Sequence, residues 1–100
     1  MTFSENLLVT AMEECAEIQQ DVSKILRFGA DNHHPERPNH TNADCVTREY
    51  IQLKAESEEL QRIGVFPVID AETEEDMKRR KLDKVFVHQA ISRDCGCLED

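Results

Sequence analysis

Apolar residues recur at three- and four-residue steps over most of this chain, and two short breaks interrupt the pattern. Such spacing keeps apolar side chains on one face of an α-helix, whereas a half-buried strand alternates at every second residue. The breaks carry Gly29, and the glycine and proline of residues 64–67, which are residue types that end helices. The sequence therefore predicts an all-α fold with helices at about residues 4–28, 43–63 and 71–94.

Each predicted helix has an apolar stripe that is expected to face the core. In the first helix the stripe comprises Leu8, Ala11, Cys15, Ile18, Val22 and Ile25. In the second helix it comprises Val46, Tyr50, Leu53, Leu60 and Ile63. In the third helix it comprises Met77, Leu82, Val85, Phe86 and Ile91. Ser4 is the expected N-cap of the first helix, and Asn42 or Asp44 that of the second.

Three stripes are more than three helices can enclose, so the protomer is expected to be incomplete alone. One hundred residues fit a single domain, residues 1–100, whose core is thin because short chains bury a small share of their surface. The sequence therefore predicts a three-helix protomer that forms a helical bundle completed by homo-oligomerisation, as a homodimer or a homotetramer.

The charge balance narrows the range of partners. Acidic residues outnumber basic ones by 21 to 12, for a formal net charge of −9, which argues against binding to duplex nucleic acid. No apolar run reaches the length of a membrane span. The opening residues, MTFSENLLVTAMEE, lack the basic and apolar regions of a signal peptide. We therefore expect a cytoplasmic protein with reduced cysteines.

Carboxylates border the apolar stripe of the first helix. Glu14, Glu17 and Asp21 lie in one strip at three- and four-residue spacing. Like charges at this spacing repel by about 0.2–0.5 kcal/mol per pair. One interpretation of this strip is a solvated acidic face. The other is a ligand set for a divalent cation, which would relieve the repulsion.

The residues of the second helix favour the interpretation of a divalent-cation site. Glu49 falls inside the stripe of that helix and Glu56 lies at its margin. A core-facing carboxylate needs an arginine, a proton or a metal, because desolvating it costs several kcal/mol. Two helices that each direct carboxylates inward can bind a divalent cation in a bundle core. Oxygen ligands favour Mg²⁺, Mn²⁺ or Ca²⁺ over zinc.

With these residues in place, the chain resembles the MazG-like all-α nucleoside triphosphate pyrophosphohydrolases, in particular the short phage and bacterial type. The family signature is Glu-Glu-x-x-Glu on one helix and Glu-x-x-Asp on the next. The first half is matched by Glu13-Glu14-Cys15-Ala16-Glu17. Residues 17–29, EIQQDVSKILRFG, and the closing stretch SRDCGCLED are also similar to the short members.

The second half of the signature departs from the family pattern. It reads Glu49-Tyr50-Ile51-Gln52, so a neutral amide stands where the family has aspartate. An amide offers one carbonyl oxygen to a metal but brings no charge and cannot act as a base. Glu56 lies one helical turn after Gln52, where it can supply the missing carboxylate.

The resemblance implies a Mg²⁺-dependent enzyme, or one using Mn²⁺ in its place, that cleaves a nucleoside triphosphate to a monophosphate and pyrophosphate. It implies a bacterial cytoplasm as the location, or the host cytoplasm if the chain is phage-encoded. The implied metal ligands are Glu14, Glu17, Glu49, Gln52 and Glu56.

Three further residues receive roles from the same resemblance. Glu13 would order the attacking water or act as its base, and Lys24 and Arg27 would contact phosphate. The alternative for Lys24 and Arg27 is favourable placement of positive charge near a helix C-terminus. The alternative for the whole protein is a catalytically impaired relative, which binds nucleotide or another protein and in which Gln52 has abolished turnover.

Overall fold

The computed structural model describes residues 1–99, and within them it contains three α-helices and no strand. The helices are α1 (Phe3–Phe28), α2 (Asn42–Arg62) and α3 (Ala71–Asp94). The predicted all-α fold is confirmed, and each predicted helix boundary lies within one residue of the observed one. The predicted oligomer stays a prediction. None of the helices in this part of the chain is long and apolar enough to cross a membrane.

The N-cap of α1 is Thr2, so the prediction of Ser4 was wrong. Thr2 Oγ1 accepts a hydrogen bond from the Glu5 backbone amide at 3.1 Å, and Glu5 Oε2 accepts one from the Thr2 amide at 2.8 Å. This reciprocal pair is a capping box. It satisfies the backbone amides of Thr2 and Glu5. Ser4 could not form such a box, because no acidic residue lies three positions after it.

A second capping box begins α2, so Asn42 and Asp44 were also wrongly predicted as its N-cap. Thr41 is the cap, and its hydroxyl accepts from the Asp44 amide at 3.0 Å while Asp44 Oδ2 accepts from the Thr41 amide at 3.0 Å. Asn42 is buried instead, and its Nδ2 donates to the Gly29 carbonyl at 2.9 Å. That bond fastens the beginning of α2 to the end of α1.

The chain divides into two compact units, Met1–Pro67 and Val68–Asp100, which are described separately. The first contains α1 and α2, and the second contains α3. The expectation of a single domain stays a prediction.

Helices α1 and α2 form an antiparallel hairpin. The end of α1 lies beside the beginning of α2, where the Asn42 amide also donates to the Asn32 carbonyl at 2.7 Å. Further along, Gln52 of α2 lies beside Glu14, in the middle of α1. Pairing that moves backward along α1 as it moves forward along α2 defines the antiparallel arrangement.

A seam of buried and half-buried residues runs along each helix of the hairpin at alternating steps of four and three, the spacing of packed helices. In α1 the seam comprises Leu7, Ala11, Glu14, Ile18, Asp21 and Ile25. In α2 it comprises Asn42, Val46, Glu49, Leu53, Glu56 and Leu60. Two carboxylates therefore interrupt the apolar residues of each seam.

The predicted apolar stripes are only partly buried. Leu8, Cys15 and Val22 of α1 are exposed, and in α2 Tyr50 and Ile63 are exposed as well. The prediction for α1 was wrong at Leu8, Cys15 and Val22, because it reserved the whole inner face of this helix for apolar side chains. Glu14 and Asp21 occupy inner positions as well, beside the half-buried Ala11, Ile18 and Ile25 of the predicted stripe.

Helix α3 leaves most of its apolar side chains exposed. Of its predicted stripe, only Val85 is half-buried, and the exposed members are Met77, Leu82, Phe86 and Ile91.

Candidate metal site

Three glutamates converge between α1 and α2. Glu14 and Glu17 lie one turn apart on α1 and Glu49 lies on α2, and one carboxylate oxygen from each lies within 4.8 Å of the others. No second group of three or more histidine, cysteine, aspartate or glutamate donors occurs in residues 1–99. The hairpin thus brings together three of the residues that the sequence predicts as metal ligands.

Gln52 lies against two of these glutamates. With its amide nitrogen turned toward them, it donates to Glu14 Oε1 at 2.8 Å and to Glu49 Oε2 at 3.2 Å. With its carbonyl oxygen turned toward them, only acceptors face one another, an arrangement that a cation would stabilise. Gln52 can therefore act as a hydrogen-bond donor when no cation is bound, and as an oxygen ligand when a cation is bound.

Glu56 continues the carboxylate row one turn further along α2. Its Oε2 is buried and has no hydrogen-bond partner among residues 1–99. Burial raises the pKa of Glu56, and the negative charges of Glu17 and Glu13 raise it further. An unpartnered buried carboxylate oxygen is costly, so this side chain favours a proton or a cation.

The pKa values of Glu17 and Glu49 are shifted in the same direction. Hydrogen bonding to Glu49, and then the charge of Glu49, raise the pKa of Glu17. Hydrogen bonding to Glu14, and then burial, raise the pKa of Glu49. Neighbouring carboxylates resist simultaneous ionisation, so full ionisation of the cluster costs free energy.

Lys24 lies at the edge of the cluster. Asp21 is buried, and its Oδ1 lies 3.4 Å from Lys24 Nζ. A cleft of about 210 Å³ begins here, and its walls carry both signs of charge. The lining residues are Glu17, Gln20, Asp21, Lys24, Arg37 and Glu49.

Two cationic residues differ from the sequence expectation. Arg37 of the α1–α2 loop lines the cleft, yet no periodicity marks a loop arginine, so sequence reasoning missed it. Arg27 does not line the cleft, and its guanidinium lies 4.9 Å from the ring centre of Phe28. Glu13 is exposed, and its charge reaches both Glu17 and Glu56.

Comparison with protein-family models, with curated proteins and with solved structures finds no match to this chain. The similarity to the MazG-like family therefore rests on the sequence motifs, and it stays a prediction.

We expect the contribution of Glu56 to the stability of the metal-free protein to fall as pH rises from about 4.5, the ordinary pKa of glutamate. A carboxyl whose folded-state pKa is raised stabilises the fold fully below its ordinary pKa, and this contribution is lost as pH rises through the raised value. Glu56→Gln mimics the neutral carboxyl. It should match the parent near pH 4 and exceed its free energy of unfolding at pH 7 to 8 in urea titrations with a chelator.

The matched control is Glu58→Gln, which alters an exposed glutamate of the same helix. An advantage of Glu56→Gln that does not change with pH, or an equal advantage for Glu58→Gln, would contradict the burial of the Glu56 charge.

Proposed function

We propose that this chain is a Mg²⁺-dependent nucleoside triphosphate pyrophosphohydrolase that gives a nucleoside monophosphate and pyrophosphate. The observation that carries the proposal is the convergence of Glu14, Glu17 and Glu49, whose oxygens lie within 4.8 Å of one another. Oxygen donors of this kind suit Mg²⁺ or Mn²⁺. The Glu-Glu-x-x-Glu motif supports the reaction type.

The charges around the cluster fit a divalent cation. The ion pairs within Met1–Pro67 join Lys24 to Asp21 and Arg62 to Glu59, so neither cation pairs with the converging glutamates. Glu14 is nevertheless buried, and Glu56 has an unpartnered oxygen. A bound cation would offset the desolvation of these carboxylates, which no basic side chain of this unit neutralises.

The chain's own residues can divide the work of such a reaction. Lys24 and Arg37 line the cleft beside Glu17 and can donate to phosphate oxygens. Glu13 is exposed near Glu17 and is the candidate for orienting or deprotonating water. Bound Mg²⁺ would supply neutralisation of phosphate charge and a lowered pKa for the attacking water.

The test is a screen of the common ribo- and deoxyribonucleoside triphosphates with Mg²⁺ or Mn²⁺. We expect equal amounts of monophosphate and pyrophosphate, and a loss of roughly 100-fold or more in Glu17→Gln, because a metal supplies several kcal/mol of transition-state stabilisation. Glu58→Gln should retain activity. Release of inorganic phosphate instead, or full activity in Glu17→Gln, would contradict the proposal.

The contacts of Gln52 favour a second candidate, a catalytically impaired relative that binds nucleotide or another protein. An amide that donates to both Glu14 and Glu49 satisfies these carboxylates without a cation. Such a member would hold its site together through Gln52 and hydrolyse nucleotides slowly or not at all.

Substitutions at Gln52 and Glu56 distinguish a degraded enzyme from one in which Glu56 has replaced the missing aspartate. In a degraded enzyme, Gln52→Asp should raise pyrophosphate release roughly tenfold or more, because the added charge improves metal capture. If Glu56 has taken over, Gln52→Asp should help little and Glu56→Gln should abolish activity. Indifference of turnover and of metal affinity to both changes would remove α2 from the metal site.

Metal binding should also be visible in the stability of the fold. A cation at ten times its dissociation constant stabilises by about 1.4 kcal/mol, which raises the melting temperature of a chain this size by several degrees. We expect that rise with millimolar Mg²⁺ or Mn²⁺ in the parent and in Glu58→Gln. Glu17→Gln should lose most of it, and an equal rise in that variant would place the cation elsewhere.

We further propose that the protein is a homodimer or a larger homo-oligomer. Among residues 1–99, Leu60 is the one fully buried large side chain. Beside the seam of α1 lies a second row of exposed apolar residues, interrupted by Gln19, which another helix can cover. This outer stripe consists of Leu8, Met12, Cys15, Val22 and Leu26.

Light scattering should therefore report at least twice the chain mass of 11.5 kDa at micromolar concentration. Met12→Lys places a charge in the outer stripe and should shift the mass toward the monomer. Gln20→Lys adds the same charge on another face of α1 and should leave the mass unchanged. A parent that already has the mass of one chain would refute the oligomer.

A further inference from the structure

We propose that a pocket at the end of α1 binds the base of a nucleotide whose phosphates lie in the carboxylate cleft. This inference rests on the proposed function and adds to it the place of the base. The loop pocket has a volume of about 470 Å³, within the size range of small-molecule sites. Its walls include Lys24, Phe28, Asn32, His33, His34 and Asn42.

The lining of the loop pocket suits a flat heterocycle. Phe28 is 53% exposed at the pocket, and aromatic rings stack on every kind of base. Two imidazole rings, of His33 and His34, add further planar surfaces, and the asparagines add amide groups that can hydrogen-bond base edges. Apart from Lys24, the side chains named for this lining carry no permanent charge, in contrast to the carboxylate cleft.

The walls of the loop pocket are tied together by hydrogen bonds. Asn42 is buried and its Nδ2 donates to the Gly29 carbonyl at 2.9 Å. Asn32 Nδ2 donates to the Phe28 carbonyl, and the Asn32 carbonyl accepts from the Asn42 amide at 2.7 Å. Gly29 has a φ of +94°, which a residue with a side chain rarely adopts. These bonds preform the pocket and limit the ordering that a ligand must induce.

Lys24 connects the loop pocket to the carboxylate cleft, because it lines both. The base and the phosphates of one nucleotide are joined by a single sugar, so their two subsites must be neighbours. A lysine between them can donate to phosphate oxygens on one side while its methylene chain covers the sugar on the other. The adjacency favours a nucleotide over two separate ligands.

The pocket alone can be tested with nucleosides, which carry no phosphate and need no Mg²⁺. The chain has four histidines, so their imidazole signals can be followed individually by NMR. Ring currents of a stacked base should move the signals of His33 and His34 and leave that of His88 in place. Phe28→Ala should weaken this binding at least about fivefold, the lower end for loss of one stacking ring.

Phe3→Ala is the matched control, since it removes an exposed ring at the opposite end of α1, and it should bind nucleosides as the parent does. Absence of movement of His33 and His34 at about 10 mM nucleoside, ten times a millimolar dissociation constant, would overturn the pocket. So would equal binding in Phe28→Ala and the parent.

Calorimetry with Mg²⁺ separates failure of this inference from failure of the proposed function. If the base occupies the loop pocket, a nucleoside triphosphate should bind more tightly than inorganic tripolyphosphate. Phe28→Ala should remove this difference and leave the affinity for tripolyphosphate unchanged. Equal affinities that Glu17→Gln abolishes would overturn the loop pocket and support the carboxylate site. Nucleoside binding with no Mg²⁺-dependent polyphosphate binding would support the pocket and overturn the proposed function.

Discussion

Repulsion among inward-facing carboxylates is the constraint on which the α1–α2 hairpin depends. Glu14 and Asp21 occupy inner positions of α1, and Glu49 and Glu56 occupy inner positions of α2. Apolar residues at these positions would stabilise the hairpin by burial, whereas charged ones must be neutralised where they lie. A seam with four acids is therefore a poor core and a good place to bind a cation.

The acids of the seam differ in how their charge is compensated, and one of them is left without a partner for one oxygen. Lys24 pairs with Asp21, and the Gln52 amide can donate to Glu14 and Glu49. Glu56 has an oxygen with neither kind of partner. The compensation weakens from the loop end of the hairpin toward its other end. The unmet demand for positive charge therefore lies at Glu56, one helical turn along α2 from Gln52 and outside the cleft that Lys24 lines.

The helices could be predicted because glycine, proline and a 3.6-residue period act locally. The inner position of Glu49 could be predicted because this residue falls within an apolar stripe. The rotation of α1 could not be predicted, because the period of apolar residues fits two adjacent stripes equally well. One carries Leu8, Cys15 and Val22, and the other contains Glu14. Arg37 was missed for a different reason. Its place in the cleft depends on the path of a loop, which no periodic pattern encodes.

The exposure of the outer stripe and the contacts of Gln52 are both related to the acids at inner positions of the hairpin. Acids take two inner positions of α1, while apolar side chains such as Leu8 and Met12 remain on the outside, where a second copy of the chain would bury them. Gln52 makes the inner face tolerable without a cation, since its nitrogen satisfies the carboxylates that its oxygen would otherwise repel. An aspartate at that position would strengthen metal binding and destabilise the empty site. The neutral amide therefore favours a hairpin that folds without a cation, and it would lower the affinity for Mg²⁺ in either proposed function.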